Sequence, residues 1–259
     1  MCLLKVKRRL VIASESSIKG YLLMATGILY LIPVSLGDDN LAKVLPTEVI
    51  AIARTLDTFV VENEKTARHF LGLFKTEKPV RELHLLTLNE HTLEKDLPAL
   101  LKPLLAGLNV GLMSEAGCPG IADPGAKLAD LAHKKGIKVV PLVGPSSILL
   151  SLMASGLNGQ RFTFVGYIPA DKQARIQALK SLEFESKKQS TTQIMIETPY
   201  RNQHLFEDIL VSLNGNTRLC IACNVSLETE MIATKTIAEW KKVPAPNLHK
   251  QPTVFLLLT

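Results

Sequence analysis

The chain has 259 residues, 47% hydrophobic, 21% charged and 5% aromatic. That balance excludes a collagen, a coiled coil and a wholly disordered chain, and the length buries a sizeable core without staples. Its 30 Lys and Arg against 24 Asp and Glu leave +6, but residues 1–23 hold +4 of it, so the body is close to neutral and a broad basic face for nucleic acid is not indicated.

Taken in chain order, residues 20–37 carry no charge and raise the question of a membrane anchor. Gly20, Gly27, Pro33, Ser35 and Gly37 interrupt that run, and its centre, 28–33, is β-rich. We read it as a strand entering a loop rather than a span, with residues 1–23 as an upstream extension and the folded unit beginning near Met24. A helix is expected from Thr47 to Arg54, a strand over 58–61 and a helix over 66–74. A short strand over 82–88 precedes a helix over 93–105, broken at Pro98 or Pro103. Residues 109–114 form a strand, 126–135 a helix ended by Gly136, 138–142 a strand and 148–155 a helix.

Such alternation implies an α/β fold with a mainly parallel sheet and helices on both faces. Beyond residue 156 the pattern changes. Strands are expected at 161–165, 193–197, 219–225, 230–236 and 253–258, with helices at 172–182 and 202–213. The polar stretch 183–192 reads as an exposed loop. Many strands for few helices predict a second, mixed sheet. Two α/β units are expected, 24–142 and 143–259.

The four cysteines do not suggest a disulfide framework. Cys220 and Cys223 have CxxC spacing, which suits zinc or redox chemistry, but no second ligand pair is present and the pair lies in a strand-like run. Packed, reduced thiols in a cytoplasmic protein, with no metal, fit better.

In parallel α/β sheets the ligand crevice lies beyond the carboxyl ends of the strands. Residues 114–125 hold three glycines and two prolines directly after a strand, a pattern suited to close backbone approach to a ligand. No GxGxxG follows the first strand and no GxxxxGK[ST] occurs, which disfavours a Rossmann enzyme and a P-loop NTPase. Ser146 and Ser147 open a helix after Gly-Pro without a nucleophile elbow, so capping is the simplest role. Polar groups also follow the other strands: Glu62, Glu64 and Arg68; Asn89, Glu90 and His91; Glu197 to Arg201.

The order of four segments, Leu29 to Asp38, Ser114 to Gly125, Val140 to Ser147 and Phe164 to Pro169, resembles the tetrapyrrole methylase family, the class III S-adenosylmethionine (SAM) methyltransferases. Within it the chain is most similar to the branch that methylates a cytidine ribose 2′-hydroxyl in 16S rRNA. The resemblance spans about residues 28–258. It implies two α/β domains with SAM in a cleft between them, usually a homodimer, and an rRNA or small-ribosomal-subunit substrate. Cofactor positions carried over by motif are Pro33 and Leu36; Gly117, Cys118, Pro119, Ile121 and Ala122; Pro145, Ser146 and Ser147; and Thr198, Ala222 and Pro252.

Where that branch has Glu-Asp-Thr-Arg, His-Asn-Glu and Ser-Pro-His-Arg, this chain has Glu62-Asn63-Glu64-Lys65-Thr66-Ala67-Arg68, Leu88-Asn89-Glu90 and Thr198-Pro199-Tyr200-Arg201. It also stops at its final strand, where the branch commonly continues. These departures fall on the presumed substrate side, to which Arg68, Asn89, Glu90, Tyr200 and Arg201 are assigned. A ribose hydroxyl needs a proton acceptor, for which Glu62, Glu115 and Asp123 are the candidates. Arg68 and Arg201 suit a phosphate or carboxylate, or a structural ion pair. The rival readings are a methylase of a corrin or porphyrin macrocycle and a SAM-binding regulator without turnover.

Overall fold

A computed structural model describes residues 26–259. The proposed extension 1–23 and the start of the uncharged run therefore lie outside the described residues. No helix among the described residues is long and apolar enough to cross a membrane.

The first sheet is five-stranded and entirely parallel, in the order β3-β2-β4-β1-β5. Its strands are β1 (Ile28–Leu31), β2 (Thr58–Val61), β3 (His84–Thr87), β4 (Val110–Met113) and β5 (Lys138–Pro141). Alternating side chains split between its two faces. Phe59 and Val61 pack with Ala53, Phe70, Leu71 and Phe74, from α1 (Thr47–Thr55) and α2 (Glu64–Phe74). Val60 and Leu112 turn to the other face, against α3 (Leu97–Leu100), α4 (Lys102–Leu105) and α5 (Gly125–Lys134). The expected 93–105 helix is interrupted at Leu101, and each proline sits in the first turn of its own segment, where a missing N–H costs least.

The second sheet is mixed, in the order β6-β7-β10-β8-β9. β6 (Phe162–Tyr167) runs parallel to β7 (Thr192–Ile196), and the other pairs, with β8 (Arg218–Cys223), β9 (Met231–Thr236) and β10 (Thr253–Leu258), are antiparallel. One face is covered by α6 (Ser147–Ser155), through Leu152 and Ile148. The other is covered by α7 (Lys172–Gln189), α8 (Asn202–Ser212) and the short α9 (Ile237–Trp240), which sequence reading did not anticipate. Trp240 donates from its indole N–H to the Leu219 carbonyl at 2.9 Å and meets Phe206 edge to face. Arg175 of α7 pairs with buried Asp208 of α8 at 2.6 Å, joining the two helices.

The stretch 183–192 is corrected by the structure. α7 continues to Gln189 before Ser190 turns left-handed at φ 52°. Tertiary contacts hold this polar stretch helical. Glu183 accepts from the Asn214 N–H and the Thr217 hydroxyl, and the buried Ser186 hydroxyl accepts from the Thr259 N–H. Cys220 and Cys223 are buried and free, and burial pushes both thiols up. Three apart on a strand, they face opposite sides of the sheet, Cys220 toward α6 and Cys223 toward α8 and α9, so they share no site.

Candidate functional site

All five strands of the first sheet end on one edge, and the loops after β1, β4 and β5 fold over one another there. Val34 N–H donates to the Gly117 carbonyl at 3.0 Å, tying the loop after β1 to the Gly/Pro loop after β4. Gly117 has φ +68°, and a Cβ there would meet the Leu36 side chain at 3.2 Å and the Pro145 carbonyl at 3.4 Å. Cys118 Sγ donates to that carbonyl at 3.3 Å, and its thiol is pushed up by burial. Gly144 lies so close to Pro33 that a Cβ would come within 2.2 Å of the ring.

Asp123 shapes the remainder of the Gly/Pro loop. Its carboxylate accepts the Gly120 N–H at 2.8 Å and the Gly125 N–H at 2.7 Å, holding the strained Ala122 (φ +61°) between them at the start of α5. Burial nevertheless raises its proton affinity, against the lowering effect of those N–H groups.

Between this edge and the second sheet lies a cleft of about 350 Å³, a volume usual for small-molecule sites. Of the residues assigned from sequence, Leu36, Gly117, Cys118, Ile121, Ala122, Ser146, Ser147, Ala222 and Pro252 line it, with Glu62, Glu115 and Asp123. A wider cavity of about 590 Å³ adjoins it and shares Glu62, Ala122, Asp123 and Tyr167. Glu90, Thr198 and Arg201 line this second space.

Six assigned residues line neither. Pro33 and Pro119 are buried in the loops, and Pro145 meets Cys118 through its carbonyl. Arg68 is engaged by Glu64 at 3.1 Å and by the Val80 carbonyl. Asn89 accepts from the His91 N–H and closes its own turn. Tyr200 stands outside the walls.

Glu62 sits at the junction of the two spaces. Asn63 caps α2 by accepting from the Lys65 and Thr66 N–H groups, which places Glu62 between strand and helix. Desolvation raises its proton affinity above the usual glutamate range, with Glu115, Asp123 and Glu90 adding repulsion; a hydrogen bond from the Glu115 N–H acts the other way.

The second sheet contributes further walls. Phe164 and Tyr167 of β6 and Glu197 after β7 lie in segments the sequence had marked, whereas Asn224 and Val225 after β8 and Thr253 and Val254 of β10 do not. The Phe164–Pro169 segment was legible as a motif, and its effect is to bulge β6 around Gly166. Glu197 binds Arg201 at 2.6 Å and the Thr198 N–H through Oε1, while its buried Oε2 has no partner. Asn224 Oδ1 is likewise buried and unpartnered.

Two bare acceptors on the wall suit a ligand rich in N–H and O–H donors, since an unmet buried acceptor is costly. Ser146 caps α6, accepting from the Leu149 N–H at 3.4 Å, and opens that helix's free N–H groups at the cleft, which suits a carboxylate. SAM carries an ammonium, an adenine amino group, ribose hydroxyls and a carboxylate, so the donor set fits it. Among the described residues no group of three or more His, Cys, Asp or Glu is placed to hold a metal ion.

No protein-family profile matches the chain. The ribosomal RNA small subunit methyltransferase I of Vibrio cholerae serotype O1 is 32% identical over 212 residues, which cover 82% of this chain and 69% of that protein. Its counterpart in Xylella fastidiosa is 33% identical over 233 residues, 90% of this chain and 81% of that one. Among solved structures, diphthine synthase shares the fold with a TM-score of 0.62 at 15% identity, over 90% of each chain. The methyltransferase CobJ does so with a TM-score of 0.60 at 16% identity, over 90% of this chain and 95% of that one. With these relatives at 32–33% identity over most of both chains, the chain belongs to the ribosomal RNA small subunit methyltransferase I family.

Proposed function

We propose that the protein methylates a ribose 2′-hydroxyl of small-subunit ribosomal RNA. The observation that carries this reading is the junction: a half-open cleft suited to SAM meets a more open cavity at a half-buried carboxylate, Glu62. Bound there, SAM supplies a methyl group activated by its sulfonium. Ser146, Ser147 and the α6 N-terminus hold the cofactor's carboxylate. Leu36, Gly117, Ile121, Ala122, Ala222 and Pro252 shape the space around the rest. The chain's own work is alignment and exclusion of water.

Glu62 takes the proton from the acceptor hydroxyl, its raised proton affinity bringing it closer to neutral pH. Asp123 holds the loop, its oxygens being occupied by backbone N–H groups. Glu115 fixes Glu62 through its N–H and meets the Thr66 hydroxyl with its side chain. Glu90, Thr198 and Arg201 receive the acceptor. Their polarity, with Glu62 and Asp123, favours a ribose over a macrocycle, which needs a broad apolar trough.

The two units, 24–142 and 143–259, act as jaws of the cleft. We assign the working enzyme to the cytoplasm as a homodimer. Support for the dimer is an apolar face on α6, where Leu149 and Met153, one turn apart, are 51% and 79% exposed, beside Val143 at 72%.

Calorimetric titration with SAM and S-adenosylhomocysteine, followed by transfer of labelled methyl to undermethylated small subunits, tests the reading. Saturable binding at one site per chain and label in a ribose support it. A folded protein that binds neither ligand, or label found elsewhere, overturns it.

A further inference from the structure

The rim of the wider cavity carries an aromatic cluster that the cofactor cleft does not use. Tyr200 lies between Pro199, which lines the cleft, and Arg201, which lines the wider cavity. Its ring is held against His249, with centroids 6.3 Å apart and planes at 77°, and Lys250 Nζ lies 5.8 Å from its centroid. Even so, Tyr200 remains 66% exposed, and His249 and Lys250 are exposed too.

Two loops distant in sequence meet here through hydrogen bonds to main-chain carbonyls. Lys250 N–H donates to the Pro199 carbonyl at 3.0 Å, and the Asn202 side chain donates to the Gln251 carbonyl at 2.6 Å. Lys250 is held in the left-handed region at φ +59°, a strained position for a lysine. One exposed tyrosine is ordinary. A tyrosine braced by an imidazole and an ammonium, on a stapled loop at a cavity mouth, is a preorganised surface.

Its chemistry fits an unpaired nucleobase. Bases splayed from RNA stack on aromatic rings, and an adjacent cation adds to the attraction. Inside the wider cavity phosphate contacts are poorly served, because Glu62, Glu90 and Asp123 face it and the Arg201 guanidinium is already paired with Glu197. The chain beyond residue 23 carries a net charge of only +2, so contacts other than charge must supply affinity. We propose that Tyr200, His249 and Lys250 form a stacking platform for an unpaired base of the RNA, beside the nucleotide being methylated. The platform rests on the rRNA reading above.

The test uses the full chain and a short single-stranded RNA carrying 2-aminopurine, whose fluorescence is quenched on stacking, with a duplex of the same sequence as control. The wild type should quench the probe and prefer the single strand. Tyr200→Ala should weaken binding by about tenfold or more and abolish quenching, while Tyr200→Phe retains both and S-adenosylhomocysteine binding stays unchanged. The loss in Lys250→Ala should shrink as salt rises, and that in Tyr200→Ala should persist. Wild-type affinity and quenching in Tyr200→Ala would overturn the platform and leave the methyltransferase reading standing. A wild type that binds S-adenosylhomocysteine but neither this RNA nor small subunits would overturn the rRNA reading, and the platform with it.

Discussion

The backbone N–H of Glu115 donates to the Glu62 carboxylate across 3.4 Å, linking the loop after β4 to the end of β2. The Glu115 side chain lies close enough to repel the same carboxylate. Burial sets the net rise in Glu62 proton affinity, and Glu115 acts on it in opposite directions: its N–H stabilises the carboxylate and its side chain repels it. Glu62→Gln should lower kcat by about a hundredfold or more while SAM affinity holds, the usual scale for losing a general base. Single-turnover kinetics with saturating SAM would check this, and an unchanged kcat would remove Glu62 from the chemistry.

The same shift fixes a pH dependence. A base must be ionised, so kcat/KM should rise with pH through a value above the ordinary 4.5 of glutamate. Glu115→Gln should move that limb to lower pH by removing repulsion. Stability runs the opposite way. The folded state holds the Glu62 proton more tightly than the unfolded state, so its contribution is present below 4.5 and is lost as pH rises through the raised value. Glu62→Gln should then melt higher than wild type at neutral pH, as calorimetric scans at acid and neutral pH would show.

Asp123 accepts N–H groups from both sides of Ala122. Asp123→Ala would leave those donors unmet and should cost about 1–3 kcal/mol in denaturant unfolding. Loosening the loop should also weaken S-adenosylhomocysteine by about tenfold in calorimetry. Full affinity in a destabilised protein would separate the loop from the cofactor.

Gly144→Ala would drive a methyl group into Pro33 and toward Leu45, 3.1 Å away. Overpacking of this kind costs about 1–3 kcal/mol. Because Pro33 and Gly144 belong to two loops that meet at the cleft, cofactor affinity should fall together with the melting temperature. A normal melting temperature would mean that the loops part without cost.

Glu197 is fully buried at its carboxylate and Arg201 only partly so. Arg201→Met would strand that carboxylate and should cost about 2 kcal/mol, below the full penalty for a wholly buried pair. Glu197→Gln together with Arg201→Met should recover much of the loss, and a double-mutant cycle by chemical denaturation would measure the coupling. On α6, Met153→Glu with Leu149→Glu should give a monomer in sedimentation equilibrium if that face joins two copies; an unchanged dimer would place the interface elsewhere.

The strand and helix order, the mixed character of the second sheet and the Gly/Pro loops were legible in the sequence, because hydrophobic period and turn chemistry are local. Glu62, Glu115 and Asp123 were legible as strand-end acids. Only the tertiary structure distinguished them: Asp123 and Glu62 both line both cavities, but the Asp123 oxygens are occupied by N–H groups of its own loop, whereas Glu62 is met by the Glu115 N–H from a distant loop. Arg68 looked the same as Arg201 on paper, yet one pairs along its own helix and the other reaches the wider cavity. The helical stretch 183–189 and the walls from Asn224 and Thr253 had no local signal of their role, and the segments holding Phe164 and Glu197 were marked without showing which cleft they face. A polar helix held by Asn214, Thr217 and Thr259, and a cleft closed by a second sheet, exist only once distant segments meet.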